Sequence, residues 1–126
     1  MNVWTVIKDR LEKQTGYRVV SLPDKNDTIN VNDLILLITS IERTSHENGY
    51  QVRGELAVKA GHMDNWQVVT DLLDLELTGA HAQAHLLTYE NGFTAMSINF
   101  NILVYRDKNR KFVINEVEYG GFENGD

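Results

Sequence analysis

Apolar and polar residues alternate along this chain with two periods. From Val3 to Lys13 the apolar residues Val3, Trp4, Ile7 and Leu11 recur at helical spacing. Lys8, Asp9, Glu12 and Lys13 fall elsewhere on the wheel, and Gly16 stands where a C-cap is wanted. The pattern predicts an amphipathic first helix. Tyr17 to Leu22 reads as a short strand, broken by Pro23 and by Asp24-Lys25-Asn26-Asp27, a polar loop extending as far as Asn32. Leu34 to Thr44 opens as a continuous apolar run and closes polar, as expected of a strand covered on both faces in its first half only.

Period two then takes over. Tyr50, Val52, Gly54, Leu56, Val58 and Ala60 alternate with Gln51, Arg53, Glu55, Ala57 and Lys59. Further on, Met96, Ile98, Phe100, Ile102 and Val104 alternate with Ser97, Asn99, Asn101, Leu103 and Tyr105. Each long strand follows a Glu-Asn-Gly tripeptide, at residues 47–49 and 90–92. Asn and Gly accept the positive φ of a two-residue type I′ loop, so each predicts a hairpin. A third copy, Glu123-Asn124-Gly125, has no strand to turn into. Between the hairpins, Asp64 to Leu77 reads as a second helix, with Asp64 as N-cap. Trp66, Val69, Leu72, Leu73 and Leu77 form its apolar stripe, Asp71, Asp74 and Glu76 its solvated face, and Gly79 ends it. Ala80 to Ala84 suits either a last helical turn or the start of a strand, and Leu86 to Tyr89 leads into the second turn. Lys108-Asn109 predicts a turn, and Phe112 to Tyr119 an edge strand.

The fold class this predicts is α+β: a mainly antiparallel sheet of two long hairpins packed against two amphipathic helices. Residues 1–119 form one domain and 120–126 a flexible acidic tail. A chain of 126 residues suits one domain. The three Glu-Asn-Gly copies are unevenly spaced, and the segments between them differ, so a solenoid or propeller is rejected.

Composition narrows the function. Cysteine is absent, which removes disulfides and thiolate chemistry and fits a reducing cytoplasm. Lys8, Asp9 and Arg10 interrupt the N-terminal apolar residues, and no run reaches the ~20 apolar residues of a membrane span. A net charge of −6 has the wrong sign for gripping a phosphate backbone, so nucleic acid is not the expected main ligand.

Chemistry-bearing clusters are hard to find. His81 and His85 would share a helix face, but in a strand they would lie about 13 Å apart, too far for one metal ion. His46 and His62 have no partner at chelating spacing. Asp71 with Asp74, and Asp24, Asp27 and Asp33, are the candidate carboxylates for acid and base, and they read as solvating charge. No Gly-rich phosphate loop is present, and Ser21, Ser40, Ser45 and Ser97 lack a nucleophile elbow. The expectation is a protein with no catalytic residue, cofactor or metal. Trp4 and Trp66 lie on helical apolar stripes and read as core. Leu103 and Tyr105 interrupt a strand face otherwise built of Asn and Ser, which suggests contact with another chain.

Several features together resemble the tail terminator (tail completion) proteins of long-tailed bacteriophages. They are the element order, the apolar strand Ile35 to Ser40, the segment Gln51 to Lys59, the acidic helix Asp64 to Leu77 and the closing Met96 to Arg106. The resemblance covers residues 1–107 and is one of size, order and strand texture; the strand Phe112 to Tyr119 and the acidic tail depart from it. It implies a structural virion protein, assembled in the host cytoplasm, that forms a hexameric ring on the tail tube. Such a ring stops tube polymerisation and meets the head connector, its partners being the tube and connector proteins. Exposed hairpin edges would supply the subunit contacts, with Arg53, Lys59, Leu103, Tyr105, Arg106, Lys108 and Arg110 as candidates. A small-molecule-binding or enzymatic α+β domain, or an adaptor of a related contractile or secretion assembly, are the alternatives.

Overall fold

A computed structural model describes residues 2–21, 32–45, 48–60, 65–75, 78, 82–89, 92 and 94–114. The first helix, α1 (Val3–Thr15), starts where Asn2 accepts a hydrogen bond from the Thr5 amide at 2.8 Å and stops at Gly16, whose φ of 78° only glycine adopts cheaply. Its stripe of Val3, Ile7 and Leu11 is buried, as the spacing predicts. Trp4 is half-buried and anchors the helix to the sheet by donating from Nε1 to the Leu36 carbonyl at 2.8 Å.

Six strands form one sheet: β1 (Val19–Val20), β2 (Leu34–Arg43), β3 (Gly49–Lys59), β4 (Ala84–Thr88), β5 (Thr94–Arg106) and β6 (Phe112–Ile114). The order is β1-β2-β3-β5-β4, and β6 also pairs with β5. All pairings are antiparallel except β1 with β2. The chain is therefore α+β, with a mostly antiparallel sheet and two helices. Of the predicted strand Tyr17 to Leu22, Leu22 lies outside the described residues, and among the rest Val19 and Val20 find partners, Leu34 and Ile35.

Paired residues point to the same side, so register assigns every side chain to a face. On the near face Leu34, Leu36, Val52, Leu56, Val58, Ile98, Phe100, Ile102 and Val104 join the stripes of both helices in one core. On the far face Ile35, Ala57 and Ala95 are fully buried beside Val20 and Tyr89. Beyond them it turns polar. In β2 the register shifts between Ile38 and Ser40, leaving Thr39 as an extra residue that switches the near face from even numbers (Leu34, Leu36, Ile38) to odd ones (Ile41, Arg43). Gly54 sits opposite Ile38. An added Cβ there would strike the Leu37 carbonyl oxygen and come within 2.8 and 2.9 Å of the Phe100 ring.

Neither Asn-Gly pair forms the predicted two-residue type I′ loop. Among the described residues the pairs nearest the two turns are Arg43↔Tyr50 and Thr88↔Thr94, a register that centres neither turn on its Asn-Gly pair. Among the described residues of the first turn Asn48 alone has positive φ, and Gly49 is already strand. In the second, Gly92 takes φ 88° and donates to the Tyr89 carbonyl. The Lys108-Asn109 turn is present: Asp107 accepts from the amides of Asn109 and Lys111, and Arg110 takes positive φ.

The second helix, α2 (Asn65–Leu73), buries Asn65, Val68, Val69 and Leu72. Trp66, expected in the core, is 64 % exposed. One residue advances about 100° around a helix, so a stripe through 65, 68, 69 and 72 turns residue 66 sideways. The Thr78 hydroxyl lies 2.7 Å from the Leu75 carbonyl and 3.1 Å from that of Leu72, capping the end of α2. The predicted Asp64 cap, Leu77, Gly79, the strand beyond Ile114 and the acidic tail lie outside the described residues.

Replacing Gly54 by Ala is expected to destabilise the fold by about 2–3 kcal/mol, since a backbone carbonyl cannot swing away as a side chain tip can. Urea denaturation checks this; an unchanged midpoint would contradict the close approach.

Candidate subunit-contact surface

Each candidate residue is placed by strand register. Arg53 stands between Ser40 and Asn101 on the far face, Leu103 beside Gln51, and Tyr105 between Gly49 and Val113. Arg53, Leu103 and Tyr105 thus share one surface with Gln51, Asn99 and Asn101. Lys59 closes β3 opposite Ala95 at the other end of that ladder. Arg53 donates to Glu42 at 3.1 Å, with both side chains about half exposed or more. Such a pair contributes little, of the order of 0–1 kcal/mol. The Gln51 amide donates to the Asn101 side chain across the strands.

A second group gathers at the opposite end of the sheet. Arg106 stacks 4.1 Å over the Phe112 ring and 5.9 Å from the centre of Tyr50, whose ring meets Phe112 edge-on. Its Nη1 donates to the Arg110 carbonyl, and Arg110 donates to the Asn48 side chain, both at 3.1 Å. These two candidates thus hold the β5–β6 loop against the start of β3. Lys108, at the tip of that loop, is exposed. The hydrogen bond from Arg106, with Arg43 and Arg110 nearby, holds the Tyr50 phenol below its ordinary pKa.

Carboxylates read from the sequence as solvating have structural duties. Asp33 is buried and takes a two-pronged contact from Arg18, at 3.1 and 2.5 Å, beside the β1–β2 pairing. Asp71 accepts from the Tyr17 hydroxyl at 2.7 Å, which tethers α2 to the segment after α1 and raises the tyrosine's pKa. Asp74 is exposed; Asp24, Asp27 and His81 lie outside the described residues, and His85 is an exposed residue of β4 opposite Ser97. Among the described residues no group of three or more His, Asp or Glu side chains is placed to hold a metal ion.

Sequence reasoning missed a far-face triad. Glu55 accepts from the Tyr89 hydroxyl and from Ser97 Oγ, each at 3.1 Å. Burial first, then the Glu55 charge, pushes the Tyr89 pKa up to about 12. The period-two pattern put Glu55 and Ser97 on the polar face, yet it carries no sign of a tyrosine arriving from a loop. The exposed edges expected from the sequence include the outer edge of β2. Beyond the Val20↔Ile35 pairing, Leu37 to Arg43 have no strand partner on that side among the described residues. Ile41, on this stretch, is 52 % exposed.

No protein-family model, curated protein or solved structure matches this chain significantly.

In Arg106→Gln the Tyr50 titration midpoint is expected to rise toward the ordinary tyrosine value of about 10, because the cation that favours the phenolate is gone. Tyrosine carbon NMR shifts followed against pH measure it; an unmoved midpoint would show that the pair does not form.

Proposed function

We propose that this chain is a structural virion protein of the tail-terminator kind, which forms a hexameric ring on a phage tail tube. The ring ends tube polymerisation and offers its other side to the head connector. The observation that carries this reading is the outer edge of β2: among the described residues Leu37 to Arg43 have no strand partner on the side away from β3, and Ile41 is exposed there. Such an edge templates pairing with another chain unless it is covered.

Two further features support it. The far face combines Gln51, Arg53, Asn99 and Asn101 with half-buried Leu103 and Tyr105, a mixed surface of the kind found at subunit interfaces. Packed as units against both helices, the hairpins β2–β3 and β4–β5 would hold these surfaces rigid from one subunit to the next. An open edge on one side of the sheet, facing a different surface on the neighbour, makes a head-to-tail contact, and such contacts close into rings.

Native mass spectrometry of the purified chain tests the reading. The expected species has six times the mass of the 14.4 kDa chain, alone or with tube protein, and Ile41→Arg shifts it toward monomer. A monomer that neither assembles nor caps tubes would sink the proposal.

A further inference from the structure

Between α1 and β6 lies an open groove of about 350 Å³. Among the described residues its helical wall is Val6, Asp9, Arg10 and Lys13, a face of α1 beside the buried stripe, and its other wall is Phe112, Val113 and Ile114. β6 pairs with β5 alone among the described residues, so its second edge offers backbone groups with no strand partner, and Val113 is 40 % exposed. The groove is continuous with the cationic end of the sheet, because Phe112 lines it and also lies under Arg106.

An apolar floor, a rim where Arg10 and Lys13 outnumber Asp9, and a strand edge with no partner among the described residues suit one kind of occupant: an extended segment that alternates acidic and apolar residues. Backbone pairing would supply affinity, and alternate side chains would read the floor and the rim. This chain carries such a segment. Glu116-Val117-Glu118-Tyr119 is followed by Phe122-Glu123, and residues 115–126 hold four carboxylates with no Lys or Arg.

We infer that the groove receives residues 116–123 of a second copy of this chain, which add a strand to the free edge of β6 and set their carboxylates against Lys13 and Arg10. The donor is a neighbour because the same chain would spend at least Asn115 and Glu116 on a two-residue turn, so Glu116 itself reaches the edge of residues 112–114 only from another copy. The inference rests on the assembly proposed above and says which segment links its members.

The test reads the groove independently of the ring. A fluorescein-labelled peptide of residues 115–126 is titrated with the full-length protein and followed by fluorescence anisotropy. Saturable binding is expected, weakened at least tenfold by Lys13→Glu and recovered on that variant when the peptide carries Glu116→Lys and Glu118→Lys. Lys13 is exposed, so circular dichroism of the variant should match that of the parent. A peptide of the same composition in scrambled order should bind at least tenfold more weakly. Absence of saturable binding overturns the inference, as does equal binding of the scrambled peptide, which would mark the surface as a general polyanion site. A hexamer that persists while the peptide fails to bind refutes strand exchange and leaves the ring standing.

Discussion

Everything in this molecule is referred to one pairing, the eleven-residue antiparallel ladder between β3 and β5 that runs unbroken from Gly49↔Tyr105 to Lys59↔Ala95. If β3 slipped by one residue against β5, Val52 and Leu56 would turn to the far side and Arg53 and Glu55 would come into the core beside Ile98 and Ile102, so the two alternating patterns enforce each other. Gly54 is the point where this ladder meets β2. Its missing side chain lets the Leu37 carbonyl and the Phe100 ring approach, and the register shift in β2 follows immediately at Thr39.

The helices are fastened to that ladder by burial and then located by a few polar contacts. Trp4 donates to Leu36, the Glu12 carboxylate accepts from the Val19 amide at 3.0 Å, and Tyr17 donates to Asp71. Each contributes on the order of 1 kcal/mol, small beside the burial of Ile7, Leu11 and Leu72, yet together they set how the helices sit. Glu12 also pairs with Lys8 at 2.9 Å, and the Val19 amide, followed by Lys8, holds its pKa below the usual carboxylate range. Its contribution is therefore present above the ordinary Glu range and fades as pH falls through the lowered value.

Period and caps made α1, β2, β3 and β5 legible, since each rests on a local pattern that tertiary contacts reinforce. Trp66 was misread because two apolar stripes fit α2, and only packing against β3 and β5 selects the one through Val68 and Leu72. The Asn-Gly pairs fall between strands that pair antiparallel, β2 with β3 and β4 with β5, while the register there was set by the strands. The parallel β1–β2 contact, the Arg18–Asp33 clamp and the Tyr89–Glu55–Ser97 group join residues with no periodic relation, so no window of sequence displays them. Of the candidate contacts, Leu103 and Tyr105 were legible as apolar interruptions of a polar face. That Arg106 would stack on Phe112 and Tyr50 was not.

The centre of the sheet and its edges differ in what they leave for a second chain to pair with. The central ladder is paired on both sides over much of its length, whereas the outer edge of β2 and the free edge of β6 have no strand partner among the described residues. If the edges are where subunits join, assembly must change them and leave the ladder alone. Amide hydrogen exchange, compared between dilute protein and the assembled state, tests this most directly. The account predicts that amides of Leu37 to Arg43 gain protection on assembly, while those of β3 and β5, already protected, do not change. Equal exchange along β2 in both states, with assembly verified by mass, would contradict it.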